Sequence, residues 1–552
     1  MLTACTADLP KSVVEGSTVR VGWSQSLTSL NVASAEGDTP GNLEIASVTH
    51  DGFARVAGGE VVLDEDFGTV EVLDPSPGSF TVRYDLADRT WSDGIPIDSA
   101  DLLLAWAAGS GATGGEFGAV PGALSLATDL PEVDDFGRRI DVTFSRPVRT
   151  WQTALDVAVP AHVVGQRALG IKDPMEAKQA VIDAILGNDE SALAEIAEVW
   201  STGFDLDGAG DVPDDLRVGS GPYLVTAIEG TEPTTTVSLE VNRAYDGEVP
   251  ASYERIEVVS DDDPLAAFPD DLDVVQVDPR TASFSTVRGL VRRDHHVAYT
   301  HAGQVWTLAL RTKGVFASVE ARRAFLRATT PADVRSAGAG DWDDAYSSTQ
   351  SLLFSPESDG YEIAIEDAGY RAAFEADVTD TSLERAQAGV PAGTEVCVRH
   401  DSDDPFAVGA VRGLAQSVAE AGWVVTDCGE PDIAATSKGR ASWQAVLVAT
   451  PLPERPTDIT DVWGGKRRSP LTGERSRERE RLVEQLDQTV DVYDARDLQV
   501  AIEAQLIEEA VALPLALDPV VTLSTRDMNA VLPDSGASAT LLGDAATWEP
   551  AK

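Results

Sequence analysis

The alternation of hydrophobic and polar residues is clearest between residues 80 and 106. From Phe80 to Leu86 every second residue is apolar, which is the period-two pattern of a half-buried strand. Asp93-Gly94 then favours a turn. Asp98 has an acidic residue three positions later, so it is expected to cap a helix that runs through Trp106. The pattern predicts a strand, a turn and a helix.

A second ordered pattern lies between residues 395 and 426. Glu395 to Arg399 and Trp423 to Thr426 read as strands. Between them, Asp404-Pro405 is expected to open a helix whose apolar residues recur at helical spacing from Val408 to Val418. A strand, helix and strand in this order predict a βαβ unit with two parallel strands.

The composition adds predictions about the number of domains and about the charge of a binding partner. The chain has 552 residues, 43% of them hydrophobic, which predicts two or three domains. It carries 92 acidic and 42 basic residues, a formal charge of -50. This charge argues against nucleic acid or anionic lipid as a partner and favours cationic solutes or basic peptides. Solubility, codon bias and a salt-tolerant habitat are alternative origins of the acidity.

The stretch "FTVRYDLADRTWSDGIPIDSADLLLAW" resembles the motif of family 5 extracellular solute-binding proteins, the oligopeptide, dipeptide and nickel receptors of ABC importers. The segments "VRVGWSQSLTSLNV", "VGSGPY" and "EEAVALPLAL" resemble further family motifs in the same order. The resemblance implies an α/β, two-lobed periplasmic-binding-protein type II fold with an additional domain inserted in the first lobe. The scarcity of Lys beside abundant Arg and Ala suggests an actinobacterium-like, high-GC source.

The resemblance also implies a division of the chain. The first lobe is expected in three parts, the extra domain within it, and the second lobe late in the chain. The expected segments are 1-16 for a lipobox remnant and tether, 17-53, 205-305 and 515-552 for the first lobe, 54-204 for the extra domain and 306-514 for the second lobe, with the lobes joined near 301 to 307.

The first residues, Met1 to Cys5, resemble a bacterial lipobox, in which a Leu and two small residues precede the cysteine that is acylated. This predicts a lipoprotein that has lost most of its signal peptide. Cys5 would anchor it to the extracellular face of the cell membrane. No apolar run of about 18 residues is present, so no transmembrane helix is expected.

The other two cysteines, Cys397 and Cys428, lie in the predicted βαβ unit. An even pair in an exported chain favours a disulfide, and two parallel neighbouring strands would bring the pair within bridging range. Two buried free thiols are the alternative.

The resemblance implies ligand-binding residues on both lobes. Trp23, Ser24, Gln25 and Ser26 follow the first strand, where the family's cleft is lined. In the second lobe the peptide receptors carry a Trp and an Asp that are absent here. Thr450 and Pro453 fall nearest to their places, and Glu454 could substitute as the counter-charge. Lys438 and Arg440 could meet a ligand carboxylate, or be solvated surface cations. Without the Asp, weaker recognition of a free peptide amino terminus is expected.

The sequence contains none of three common catalytic motifs, G-x-S-x-G, H-E-x-x-H and the Walker A lysine loop. An enzyme is therefore not expected. No cofactor and no metal is expected either. Adjacent His295 and His296 would point to opposite faces of a strand. The acidic loop from Asp205 to Asp211 suits calcium but lacks the distal Glu of an EF-hand, and an acidic turn is favoured.

The function implied by the resemblance is the capture of peptides or peptide-like solutes between two lobes and their delivery to ABC permease subunits. The protein would be a monomer that touches the membrane only through its lipid. The alternative is a cell-envelope lipoprotein that uses the same fold for protein interaction or envelope assembly. The altered motif of the second lobe keeps this alternative open.

Overall fold

The computed structural model describes residues 8–76, 79–113, 116–134, 136–206, 208–231, 234–261, 263–375, 380–433 and 443–551. The strands are β1 Val14–Trp23, β2 Ala54–Ala57, β3 Glu60–Leu63, β4 Gly68–Asp74, β5 Phe80–Leu86, β6 Arg139–Phe144, β7 Gly210–Asp211, β8 Tyr223–Thr231, β9 Thr234–Val241, β10 Tyr253–Ser260, β11 Val274–Val277, β12 His296–Leu310, β13 Thr394–Asp401, β14 Trp423–Glu430, β15 Ala445–Pro451 and β16 Ala512–Ser524. The α-helices are α1 Pro40–Thr49, α2 Ser99–Ser110, α3 Ala161–Leu169, α4 Pro174–Gly187, α5 Glu190–Thr202, α6 Pro264–Ala267, α7 Phe284–Val291, α8 Val319–Ala328, α9 Pro331–Ala339, α10 Tyr361–Asp367, α11 Thr381–Gln387, α12 Pro405–Ser417, α13 Pro456–Trp463, α14 Arg477–Leu486 and α15 Val492–Glu508.

One continuous sheet runs through the molecule. Its strand order is β14-β13-β15-β12-β16-β11-β1-β10-β9-β8-β7. We call β1 and β7 to β11, with α1, α6 and α7, the first lobe, and β13 to β15, with α8 to α15, the second lobe. Within the first lobe β1 is parallel to both β10 and β11, so the carboxyl ends of these three strands share one edge.

The strands β12 and β16 connect the lobes. They are antiparallel and pair in two segments, His296–His301 with Ser524–Pro519 and Val305–Ala309 with Leu517–Ala512. The register shifts between the segments, where Gly303 has φ +68° and a Cβ there would lie 2.2 Å from the Ala537 backbone nitrogen. β16 is buried along nearly its whole length, as expected of a central strand covered on both faces.

The segment from β2 to α5, which we call the extra domain, forms sheets of its own, and its apolar side chains share one core with those of the first lobe. Its larger sheet has the order β4-β5-β6 and packs against α2. The predicted strand, turn and helix are all present in it. β5 buries alternate residues, and α2 begins after Asp98, whose side chain caps the helix reciprocally with Asp101.

A buried ion cluster holds the turn and the helix of this motif together. Lys178 of α4 has a completely buried side chain, and its Nζ lies 2.9 Å from Asp98 Oδ1 and 2.8 Å from Asp101 Oδ2. It also donates to the Pro96 carbonyl at 2.6 Å. Burial alone would lower the pKa of Lys178, but the two carboxylates raise it above its usual value. The cluster thus keeps Lys178 charged inside the domain.

We expect Lys178→Met to destabilise the protein by about 3–5 kcal/mol, because it leaves Asp98 and Asp101 buried without their cation. Urea denaturation followed by circular dichroism measures the change. Lys172→Met is the matched control, since Lys172 is exposed in the neighbouring loop. Equal unfolding midpoints for the two variants would contradict the structural role given to the cluster.

In the second lobe, β13, α12 and β14 form a βαβ unit with parallel strands, as the sequence pattern predicts. A disulfide joins Cys397 to Cys428, with Cα atoms 5.6 Å apart. Among the described residues β14 is the last strand of the sheet, so the bond ties this edge strand to β13. The bonded residues are 31 positions apart in the sequence.

We expect Cys397 and Cys428 to resist thiol labelling in unfolded, unreduced protein and to react after reduction. Peptide mapping of the label separates these two sites from Cys5. Replacing both cysteines by Ser should lower the free energy of unfolding by roughly 3–4 kcal/mol, the chain-entropy value for a loop of this size. Labelling of both sites before reduction is the outcome that would sink this expectation.

Candidate ligand-binding cleft

A cleft of about 670 Å³ opens where β1, β10 and β11 end. Its walls include Val21–Gln25 of β1 and the following loop, Gln276–Asp278 at the end of β11, and Ser283 and Thr286 at the start of α7. The rest of the described lining consists of Glu44, Val258, Asp263–Ala266, Thr281–Ala282 and the late segment Leu541–Leu542. A cavity of this size accommodates a small organic ligand or a short peptide, and the carboxyl ends of strands are the usual place for a site in an open α/β sheet.

The first-lobe residues predicted from the sequence meet this cleft in part. Trp23, Ser24 and Gln25 line it, whereas Ser26 does not. Trp23 is buried and donates from Nε1 to Ser260 Oγ at 3.1 Å, and Ser260 Oγ donates to the Gln25 carbonyl at 3.0 Å. These bonds fix the loop after β1 to the end of β10.

The second-lobe residues predicted from the sequence lie elsewhere. Thr450 is buried and its hydroxyl bonds to β12, 2.9 Å from Thr307 Oγ1. The exposed carboxylate of Glu454 accepts hydrogen bonds from Ser538 N at 2.9 Å and from Ser538 Oγ at 2.8 Å. Neither side chain lines the cleft. Lys438, Arg440 and the lipidation candidate Cys5 lie outside the described residues.

The described lining of the cleft is acidic. It includes Glu44, Asp263 and Asp278 and, among these described residues, no lysine or arginine. Burial raises the pKa of Glu44 to about 7, although backbone N–H groups of Leu542 and Leu541 act in the opposite direction. Sequence reasoning missed all three acids because none belongs to a recognised motif and they come from distant parts of the chain. An acidic lining suits a ligand that carries positive charge.

Arg280 does not line the cleft, but it follows the lining residue Asp278 by two positions and contacts both lobes. It pairs with Asp278 at 2.8 Å, while its Nη1 is 3.5 Å from Asp404 and 3.7 Å from Asp518. Asp404 caps α12 of the second lobe, and Asp518 belongs to β16 and accepts from Trp306 Nε1 at 2.9 Å. One guanidinium therefore faces carboxylates from the first lobe, the second lobe and a connecting strand.

Burial and neighbouring charges change the pKa values of Arg280 and Asp518 in this group. Burial acts to lower the pKa of Arg280, but the hydrogen bond that Arg280 donates to Asp278 and the three negative charges raise it above its usual value. Burial raises the pKa of Asp518, and the opposing effects of Arg280 and Trp306 do not cancel that rise. Arg280 is thus firmly charged, and burial disfavours the charged form of Asp518.

Within the described part of the chain, no group of three or more His, Cys, Asp or Glu side chains is placed to hold a metal ion. Asp207, in the acidic loop considered for calcium, lies outside that part. His295 packs its ring against Phe268, and His296 begins β12. The described helices include none long and apolar enough to cross a membrane.

Comparison with sequences finds lipoproteins. No protein-family model matches the chain. Uncharacterised lipoproteins of Mycobacterium bovis and Mycobacterium tuberculosis are each 32% identical over 180 residues, which is 31% of this chain and 30% of theirs. An uncharacterised lipoprotein of Mycobacterium leprae is 28% identical over 292 residues, covering 51% of this chain and 48% of its own. The matches therefore span from about a third to about half of these relatives.

Comparison with solved structures identifies the fold. The periplasmic EDTA-binding protein EppA aligns over 100% of this chain and 99% of its own, with a TM-score of 0.72 and 17% identity. A putative peptide-binding protein AppA from Clostridium difficile gives 0.65 at 12% identity, over 97% of this chain and 100% of its own. NikA from Brucella suis, solved with Fe(III)-EDTA, gives 0.63 at 15% identity with the same coverage.

The chain has the two-lobed α/β fold of the periplasmic substrate-binding proteins, type II, with an additional domain. The resemblance to the family 5 solute-binding proteins seen in the sequence is confirmed at the level of the fold.

Several buried acids give the protein a distinctive dependence on pH. Glu503 of α15 is 1% exposed and accepts from Ser351 Oγ at 2.6 Å and Leu352 N at 2.7 Å. Burial raises its pKa from 4.5 to about 7, as it does for Glu44, and it raises that of Asp51 from 3.8 to about 7. Between about pH 4.5 and 7 these groups hold more protons in the folded than in the unfolded chain, so stability falls as pH rises through this window.

We expect the melting temperature to be higher at pH 6 than at pH 8. Glu503→Gln should reduce the slope of unfolding free energy against pH within the window by up to about 1.4 kcal/mol per pH unit, the value for one proton. Glu508→Gln is the control, because Glu508 is exposed on the same helix. Chemical denaturation at a series of pH values gives the slopes, and an unchanged slope for Glu503→Gln would refute the assignment.

Proposed function

We propose that this protein is the substrate-binding lipoprotein of an ABC importer at the extracellular face of the cell membrane. It captures peptides or peptide-like solutes and delivers them to the permease. The observation that carries the proposal is the cleft at the carboxyl ends of β1, β10 and β11, which lies beside the strands that join the two lobes. Lipoprotein relatives and solute-binding structural neighbours support it.

Closure of the lobes around the ligand is part of the proposal. The break in the β12–β16 ladder between His301 and Val305 is the place where the chain passes from one lobe to the other. Gly303, with its positive φ, occupies the break. Hinges are formed by a few residues at the ends of elements that absorb a change in φ and ψ. We assign the hinge to this break.

The charge of the cleft narrows the class of solute. Glu44 and Asp263, beside the ion-paired Asp278, would repel a free anion such as EDTA, for which EppA is named, or the Fe(III)-EDTA with which NikA was solved. A peptide or peptide-like solute with a basic side chain or a free amino group would be attracted. We propose that these first-lobe acids take the place of the Asp missing from the second-lobe motif as counter-charges for a free amino group. Comparing the binding of an acetylated and an unacetylated peptide of the same sequence tests this.

We expect a basic tripeptide such as Ala-Lys-Ala to raise the melting temperature and Ala-Glu-Ala to have no effect, since only a solute bound by the folded state stabilises it. Thr286→Trp should weaken binding of the basic peptide at least tenfold by filling the cleft from α7. Calorimetry measures the affinity, and comparing the free with the acetylated basic peptide shows whether the amino terminus contributes.

Arg288→Trp is the matched control, because Arg288 is exposed on the same helix and does not line the cleft. Binding that survives Thr286→Trp unchanged would mean that the solute sits elsewhere. If no member of a tripeptide library, basic members included, stabilises the protein, the peptide-receptor proposal fails and the interaction role in the cell envelope becomes the better one.

A further inference from the structure

Hydrogen bonds within the first lobe orient the side chain of Arg280 toward the second lobe. Its backbone N–H donates to Asp278 Oδ1 at 2.8 Å and its Nε donates to the same carboxylate at 2.9 Å. These short local bonds hold the base of the side chain, so Nη1 remains free to face Asp404 and Asp518. The guanidinium is therefore held in position before it meets the second lobe, which reduces the entropy lost in making that contact.

The partners of Arg280 outside the first lobe are poorly solvated. The side chain of Asp404, in the second lobe, is 13% exposed and that of Asp518, on the connecting strand β16, is 6% exposed, while Arg280 itself is 33% exposed. If the lobes separated, Asp404 would lose the cation that faces it from the first lobe. A buried carboxylate without a cation is unfavourable, so this contact opposes opening.

A second charged contact joins the extra domain to the second lobe. Arg146, in the loop after β6, places Nη2 2.6 Å from Asp487 Oδ2, and the Arg149 N–H donates to the Asp487 carbonyl at 3.0 Å. Asp487 is the residue at which α14 ends. Both side chains of the ion pair are about two-thirds buried, at 33% and 29% exposure.

Other contacts between these units are weaker candidates. Glu60 accepts from the Asp359 N–H at 2.8 Å, and Glu454 accepts from Ser538. Both are exposed and neither pairs opposite charges. His301 Nε2, on the first-lobe side of the break, lies 2.8 Å from Glu357 Oε2 of the second lobe. The charge pairs of Arg280 and Arg146 involve arginines and lie at two separate places along the contact between the lobes.

We propose that Arg280 and Arg146 act as two electrostatic latches that hold the lobes closed in the absence of ligand. The proposal rests on the proposed lobe closure, and it adds the residues that set its equilibrium. Breaking the latches lowers the population of the closed state, and the apparent affinity for a solute that binds this state falls in proportion. Because both contacts are ion pairs, the closed population decreases with ionic strength.

Small-angle X-ray scattering of the ligand-free protein tests the latches. We expect the radius of gyration to be larger for Arg280→Gln and Arg146→Gln than for the wild type, and largest for the double variant. Raising NaCl from 0.1 to 1 M should increase it in the wild type and much less in the double variant. Arg20→Gln is the matched control, since Arg20 pairs with Glu257 inside the first lobe at 3.1 Å.

Asp404→Asn and Asp487→Asn provide a second pair of variants. Asn is as good a helix N-cap as Asp, so Asp404→Asn removes the charge and keeps the cap of α12. Circular dichroism shows whether each variant is folded. A folded Arg280→Gln and Asp404→Asn with the scattering of the wild type at both salt concentrations would overturn the Arg280 latch, and the same result for Arg146→Gln and Asp487→Asn would overturn the other. No ligand is used, so failure here is distinct from failure of peptide binding.

Discussion

The structure depends on the pairing of β12 with β16. These two antiparallel strands lie at the centre of an 11-stranded sheet and belong to both lobes. Hydrogen bonds on either side of the register shift fix each lobe to its own half of the ladder. The residues at the shift between His301 and Val305 lie outside that ladder, and the hinge of the proposed closure is assigned to them.

A group of charged side chains lies next to the break in the β12–β16 ladder. Asp518 lies between the two paired segments of β16, and Trp306 holds it from β12. Arg280 reaches it from the first lobe, and Asp404 stands beside it at the start of α12. Small movements about the break change these distances directly, whereas bonds within each lobe are unaffected. The ion group is thus placed where it responds to the angle between the lobes.

The sequence predicted the parts of this architecture that depend on residues close together in the chain. The strand, turn and helix of residues 80 to 106 follow from alternation and capping, and the βαβ unit around Cys397 and Cys428 follows from periodicity. The loop after β1 was located by its resemblance to the family, and three of its four residues line the cleft. The group around Arg280 was not foreseen, because its acids are separated by up to 240 positions and meet only through the sheet. Thr450 and Glu454 were predicted to bind ligand from a resemblance to a family motif. In the structure their side chains form hydrogen bonds within the protein, Thr450 to β12 and Glu454 to Ser538.

The acidity of the chain connects the latches with the cleft. With 92 acidic and 42 basic residues, the chain carries a large excess of negative charge, and the contact at Arg280 brings carboxylates of different lobes together. Arg280 faces these carboxylates and Arg146 pairs with Asp487, whereas Glu44 and Asp263 lie in the cleft without a basic residue in its described lining. Under the proposed function, a cationic solute would be attracted to these acids and an anionic solute repelled. Charge selectivity and the proposed closure would then depend on the same electrostatic balance.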